Sequence, residues 1–470
     1  MRWIDLSVIA LYLAAITWFG AQFRKSQRTL KDYFLGGKTA PWWAIALSIV
    51  SAETSTLTVI GTPVLAFEGD FGFLQVVLGY LFARIVIAAI FLPAYFRGEM
   101  FTAYELMRRR FGERIRRLTA ATFLILRALA EGVRVVAISL VITIILGTGE
   151  KTSIVAILLL TLFYTYEGGM TAVIWTDVIQ MFLYVAGAAI SLAVILREIP
   201  GGWPHVAAVA GAAGKFHVFD FAFSFTKTYT FWAGVIGGCF LTTASHGTEQ
   251  LMVQRLLAAP NERQSRAALF ASWVVIALQF TLFLIIGAAL YTFYSDRHAK
   301  PPEVLDKIYP QFIWDHLPVG IAGLVIAAIL AAAMSNLSAA LNALSSTTVV
   351  DFLKPSTSET GLRLARAATV FWAAILFAVG LLARHWGGVL EAGLSIASII
   401  YGSLLGVFLL GLLTKRVGEV AAMWAMSAGL VLMLYIRFAT PIAWTWYVVI
   451  GTAATFLTGW VASFIVKESA

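Results

Sequence analysis

Apolar runs of bilayer length recur from Ile4 to Val466 with short polar loops between them, and this pattern leaves the chain very few architectures. Lipid offers the backbone no hydrogen-bond partners, so spanning segments must be helices or a closed barrel. About 20 apolar residues make one helical crossing. The runs predict thirteen spans, at 4–22, 41–66, 71–96, 119–146, 152–169, 171–196, 229–254, 267–295, 318–350, 362–385, 388–414, 420–438 and 442–466. The fifth and sixth join through Glu167-Gly168-Gly169, which leaves a count of twelve open. The first run carries Asp5, lacks a small-residue cleavage pattern and leads into a basic loop, so it reads as a retained span. The longest gap, about 197–228, is too short for a catalytic domain. The expected fold class is an all-α integral membrane protein.

Composition agrees. Hydrophobic residues make up 60%, charged residues 13%, and mean hydropathy is +0.85, too few charges to clothe a soluble surface. The net charge of +9 does not point to nucleic acid, because the basic residues sit in short loops, where they set topology. The single cysteine, Cys239, excludes internal disulfides and cysteine metal sites. Loop 23–40 carries Arg24, Lys25, Arg28, Lys31 and Lys38, and loop 97–118 carries Arg97, Arg108, Arg109, Arg110, Arg114, Arg116 and Arg117. Placing both in the cytoplasm puts the N-terminus outside and, with thirteen spans, the C-terminus inside a plasma or inner membrane.

Two spans are polar at their centres. The second contains Ser51-Ala52-Glu53-Thr54-Ser55-Thr56-Leu57-Thr58, and the seventh Thr242-Thr243-Ala244-Ser245-His246-Gly247-Thr248-Glu249-Gln250. They lie five spans apart, as paired discontinuous helices would in an inverted repeat of five plus five. Non-helical backbone at that depth is tolerated where it lines a cavity. With the second span as core helix 1, the seventh is core helix 6. The division is then an extra helix and loop over 1–40, repeats at 41–196 and 229–414, a loop at 197–228 and two further helices over 415–470.

Charge inside the spans is the other departure. Arg127, Glu131 and Arg134 fall on one face of the fourth span, core helix 3. Glu131 neutralises one arginine, so one positive charge is expected to remain, and Arg134 could clamp a carboxylate. The competing reading is a structural ion network completed by Glu53 or Glu249, and Arg84 in the third span is given that structural reading.

Four motifs in order resemble the solute:sodium symporter family, whose members share the LeuT-type fold. Asp32-Tyr33-Phe34-Leu35-Gly36-Gly37 and Pro41-Trp42-Trp43-Ala44 look like the approach to its core helix 1. The stretch from Gly168-Gly169-Met170-Thr171 to Trp175-Thr176-Asp177-Val178-Ile179-Gln180 is similar to its signature at core helix 5. Gln254-Arg255, then Ala331-Ala332-Ala333-Met334-Ser335-Asn336-Leu337-Ser338 with Leu341-Asn342, resemble the ends of core helices 6 and 8. The resemblance implies a sodium site between core helices 1 and 8. Its ligands would be the carbonyls of Ser51, Thr54 and Ala332, the Ser335 hydroxyl, and Asn336, which stands where many members carry Ser or Thr. Ala332, Ser335 and Asn336 share a helical face, and hard oxygen ligands suit an alkali cation. A second sodium site, as in some members, would use Asp177, Ser335 and Ser338, although Ala339 replaces a hydroxyl there.

Glu53, Thr58, Arg134, Thr242, Ser245 and His246 are the candidate substrate contacts. Glu53 either orders the helix break or touches substrate, and His246 is either a substrate contact or a helix contact. Sugar-transporting members carry Glu-Gln where this chain has Leu57-Thr58, which argues against a monosaccharide. The expected function is a sodium-coupled symporter importing a small polar or anionic solute by alternating access. Na+ is the coupling ion, with no organic cofactor, no nucleic-acid partner and a monomer in the lipid bilayer. A proton-coupled transporter and a transporter-like sensor are the alternatives. A membrane enzyme is disfavoured, because no His/Asp/Glu metal cluster or Ser/His/Asp set is apparent within the spans.

Overall fold

The computed structural model describes residues 2–22, 35–97, 103–147, 149, 151–155, 170–353, 358–383 and 388–466. Most of the expected fifth span and the motif residues Asp32, Tyr33, Phe34, Gly168 and Gly169 lie outside the described residues. So do the side chains of Ala332, Ser335 and Ser338.

Every other expected span carries a helix. In chain order these are α1 (Trp3–Gln22), α2 (Trp42–Glu53), α3 (Thr56–Glu68), α4 (Leu74–Phe96), α5 (Ala103–Arg110), α6 (Glu113–Leu146), α7 (Met170–Glu198), α8 (Gly202–Ala212) and α9 (Phe231–Thr248). Then follow α10 (Gln250–Leu257), α11 (Glu262–Asp296), α12 (Ile308–His316), α13 (Ile321–Thr347), α14 (Ser358–Ala383), α15 (Val389–Leu413), α16 (Glu419–Ala439) and α17 (Tyr447–Ile465). Seven are long and apolar enough to cross a membrane alone, and the pair α2–α3, bent by 65°, crosses as a broken span. The short helices α5, α8 and α12 fall in segments the apolar pattern leaves as loops. In α4 the residues Ile87–Phe91 widen into a π turn just before Pro93, which has no N–H to give the preceding turn.

Both spans expected to be interrupted are broken. The first break falls inside its polar run, at Thr54 and Ser55. The second falls at Glu249, near the end of its polar run, so Thr242, Ser245 and His246 remain helical in the last turns of α9. The packing repeats across the two halves. The broken pair α2–α3 lies against α11, and α9 lies against α4. Glycine sets these distances. A Cβ at Gly79 would meet the Val235 carbonyl at 2.5 Å, one at Gly238 the Val76 carbonyl at 2.4 Å, and one at Gly287 the Pro63 carbonyl at 2.1 Å.

Carboxylates join the ends of elements. Asp5 Oδ1 accepts from Gly320 N–H (2.7 Å) and Gly323 N–H (2.8 Å), which bolts α1 to the start of α13. Glu419 Oε1 accepts from Arg114 N–H (2.6 Å) and Ile115 N–H (3.2 Å) at the start of α6. Each satisfies orphan donors at a positive helix end. Apolar side chains on α1, α16 and α17, such as Trp3, Trp424, Phe438 and Trp460, are exposed, as a lipid-facing surface requires.

Candidate functional site

A cavity of about 120 Å³ opens between the two broken helices, lined from α2, α3, α4, α6, α9, α10, α11 and α15. All six expected substrate contacts line it: Glu53, Thr58, Arg134, Thr242, Ser245 and His246. Of these, residues as much as 193 positions apart in sequence, Glu53 and His246, meet here because the breaks bring the ends of α2 and α9 together.

Two ion networks make up the charged wall. In the first, Arg84 Nη2 donates to Glu53 Oε2 (3.0 Å), and His246 Nε2 lies 3.4 Å from the same oxygen. Arg84 is fully buried and is also held by the carbonyls of Leu269 (3.1 Å) and Tyr80 (3.2 Å). Its structural reading is therefore correct, and its partner is the acid at the break. Ser245 Oγ and His246 Nδ1 lie 2.8 Å apart. With the ring proton on Nε2, the imidazole faces Glu53 as a donor and Ser245 as an acceptor.

In the second, Arg127 pairs with Glu131 Oε1 (2.6 Å) and donates to Glu249 Oε1 (2.8 Å). Arg134 pairs with Glu131, and Tyr401 donates to Glu249 Oε2 (2.5 Å). Here the expectation of one leftover positive charge is corrected. Glu249, from the break between α9 and α10, supplies the missing negative charge to the α6 stripe. Three glutamates (Glu53, Glu131, Glu249) face three arginines (Arg84, Arg127, Arg134), so the wall is neutral when His246 is neutral. Arg127 and Glu131 are buried, whereas the Arg134 side chain is 19% exposed and is the free end of the network.

Among the described residues, the break in core helix 1 leaves backbone carbonyls without their helical N–H partner. Ser55 N–H donates to Glu53 O (3.2 Å) and Thr58 N–H to Ser55 O (2.9 Å), so neither reaches the carbonyl four residues before it, at Ser51 and Thr54. Thr54 Oγ1 donates to Gln279 Oε1 (3.0 Å) on α11. The helix α13, on which Ala332, Ser335, Asn336 and Ser338 lie, packs against α3 and α10, the second halves of both broken helices, and Asn336 is buried. Asp177 has partners of its own: its Oδ2 accepts from Ser48 Oγ (2.6 Å) and from Arg255 Nη2 (3.0 Å).

Tyr401, Gln279, Arg84 and Ser48 are not among the residues that the sequence singles out for the site. A lone Gln in the apolar run around Gln279 was a usable signal. Tyr401 carries none, since a tyrosine between apolar neighbours reads as core.

A model of the sodium:solute symporter family matches residues 33–429. Sodium-coupled monocarboxylate transporter 1 of Homo sapiens is 30% identical over 440 residues, covering 91% of this chain and 72% of that protein. Sodium/sialic acid symporter NanT of Aliivibrio fischeri is 29% identical over 479 residues, covering 99% and 94%. A solved Na+-coupled sialic acid symporter, substrate-bound and outward-open, with a novel Na+ site, superposes with a TM-score of 0.87 at 27% identity over 99% of both chains. These relatives are symporters rather than enzymes. The chain belongs to the sodium:solute symporter family and is a multi-pass, sodium-coupled symporter of the LeuT-type fold.

Proposed function

We propose that the chain imports a small organic anion with sodium, by alternating access around the cavity between the broken helices. The observation that carries this reading is the neutral wall with Arg134 as its free end. A lone anion in such a site would be an uncompensated charge in a low-dielectric space, which is costly. A carboxylate on Arg134 together with one Na+ nearby adds no net charge. Coupling then follows from electrostatics, because each ion lowers the cost of the other, and the linkage must be reciprocal. The names of the relatives, a monocarboxylate transporter and a sialic acid symporter, both refer to acids. The cavity is comparable to one that holds benzene, so acids of about six heavy atoms suit it.

The sodium site of this reading lies between core helices 1 and 8. Its ligands are the carbonyls of Ser51, Thr54 and Ala332, the Ser335 hydroxyl and the Asn336 amide oxygen. Support comes from the freed carbonyls at Ser51 and Thr54 and from the packing of α13 on α3. Na+ with a monovalent anion moves no net charge, so a tenfold sodium gradient, about 1.4 kcal/mol, supports roughly tenfold accumulation.

Proteoliposomes given either a sodium or a proton gradient test the reading with labelled short-chain carboxylates. Uptake should follow sodium. Ser335→Ala should weaken sodium affinity strongly while substrate affinity in saturating sodium changes little. Arg134→Gln should raise KM more than tenfold, as loss of a charge-assisted pair would. Uptake driven by the proton gradient alone, or a Ser335→Ala protein with unaltered sodium dependence, would overturn the coupling mechanism.

A further inference from the structure

The segment between α8 and α9 carries a pattern that the cavity does not use. In Val218-Phe219-Asp220-Phe221-Ala222-Phe223-Ser224-Phe225 every second residue is phenylalanine. None of this stretch is helical, and the four rings are between 49% and 64% exposed. Large apolar side chains exposed in a contiguous run mark a surface that has a partner.

The packing of the rings identifies that partner. Phe219 and Phe221 stack with centroids 5.9 Å apart, and Phe221 lies 5.0 Å from Phe231, the first residue of α9. Phe223 and Phe225 lie 5.8 Å and 5.2 Å from Trp446, directly before α17. α9 and α17 pack together, and Ala233 and Trp446 share one small apolar cluster, so the two helices begin at one level. Each then presents an apolar stripe at helical spacing. On α17, Ile450, Ala453, Leu457 and Val461 are at least partly exposed, and on α9 so are Trp232, Val235, Ile236 and Cys239. The phenylalanine ridge thus runs into lipid-facing surface, at the level where two helices enter the bilayer and aromatic residues concentrate.

The backbone of the segment is provided for within the protein. Asp220 N–H donates to Gln75 Oε1 (3.1 Å), and its carbonyl accepts from Phe231 N–H (2.6 Å). Ala222 N–H donates to Asp220 Oδ1 (3.0 Å), and the N–H groups of Thr226 and Lys227 donate to Ser224 Oγ (3.2 and 3.0 Å). The Ser224 carbonyl accepts from Trp446 Nε1 (3.0 Å) and the Phe225 carbonyl from Ala443 N–H (2.7 Å). Lys227 neutralises Asp220. A loop in water can leave such groups to solvent, whereas backbone against lipid must be satisfied by the protein itself.

We propose that residues 219–225 form an interfacial anchor, whose four rings insert among phospholipid headgroups at the bilayer surface where α9 and α17 begin. The occupant is lipid rather than a second copy of the chain, because the rings sit on two helix ends and continue into lipid-facing stripes instead of closing a patch of their own. Through Phe231 and Trp446 the anchor fixes the depth at which both helices enter.

Two measurements test this. The unmodified protein, in phosphatidylcholine vesicles, is irradiated with a phosphatidylcholine that carries a diazirine near the headgroup. Trypsin releases 216–227 as one peptide, since Lys215 precedes it and Lys227 ends it, and that peptide should carry lipid adducts. Nitroxide labels are then placed singly through Phe221→Cys, Phe223→Cys, Leu457→Cys and Lys300→Cys on the Cys239→Ser background. At 221 and 223, collisions with dissolved oxygen should be favoured over those with a water-soluble nickel chelate, as at 457, in a ratio about tenfold above that at the exposed Lys300. A ratio equal to that at 300, or a 216–227 peptide free of adducts, would overturn the proposal and leave the segment in water. Spin–spin broadening between labelled copies at 221 or 223 would overturn it in favour of a second copy of the chain. The adduct measurement needs no variant, so it decides the matter even if a cysteine variant does not fold.

Discussion

Asp177 shows how a residue's role depends on what the fold places beside it. Its position in the core helix 5 motif suggests a second sodium ligand, yet its Oδ2 is bonded to Ser48 and Arg255, and Arg255 also donates from Nε to Ser48 Oγ (3.0 Å). All three are buried. Asp177→Asn should therefore act through stability, because it leaves Arg255 as an unpaired buried charge at a cost of about 3 kcal/mol. The expected result is a large fall in melting temperature with the sodium Hill coefficient unchanged. A coefficient that drops from near two to one would instead place a second ion at Asp177. The cavity residues were legible in the sequence because polar groups are conspicuous against apolar spans. Their partners were not. Arg127 meets Glu249 across 122 positions and Thr54 meets Gln279 across 225, and helical periodicity carries no information at that range.

At the scale of the element, α15 illustrates control of a cavity-lining helix from its end. Leu390, Gly393, Leu394, Ala397 and Tyr401 of α15 line the site. Its first N–H, at Val389, donates to Asp306 Oδ2 (3.1 Å), and two residues on, in the same turn, Glu391 Oε1 accepts from the Tyr229 hydroxyl (2.6 Å). Asp306 lies in the segment between α11 and α12. Burial pushes its carboxyl up to about 6, with the Val389 N–H opposing that shift and Glu68 adding to it. A carboxyl whose pKa is raised in the folded state binds its proton more tightly there than when unfolded. The native state thus carries a penalty above pH 6, relieved as pH falls from about 6 toward 4. Thermal melts should show stability rising across that window. Asp306→Asn keeps an acceptor for Val389 and should be more stable at pH 7 by about 2–3 kcal/mol, with that part of the pH dependence gone. A variant that keeps the full pH dependence would exclude Asp306 as its source. The two broken spans were also legible as elements, but the second break lies at Glu249 rather than in the middle of its polar run. The break sets Glu249 opposite Arg127 on α6, a partner that the composition of the segment does not reveal.

For the whole molecule, the remaining question is which way it sits in the membrane. From the Lys/Arg bias we predict that loops 23–40 and 97–118 are cytoplasmic and loop 197–228 is outside. Single cysteines introduced in each loop on a Cys239→Ser background should react with an impermeant thiol reagent on intact cells only in loop 197–228. Strong labelling of loop 97–118 would invert the orientation. The all-helical class, the sites of the described spans and the presence of two interrupted helices follow from hydropathy and local polarity. A bilayer penalises every unsatisfied polar group, and so it writes topology into the chain residue by residue. Hydropathy is blind to how spans contact one another. The neutral balance of three glutamates and three arginines and the engagement of Asp177 by Arg255 arise only when helices far apart in sequence are packed together. In a low-dielectric interior a charge is defined by its nearest partner, and tertiary packing alone chooses that partner.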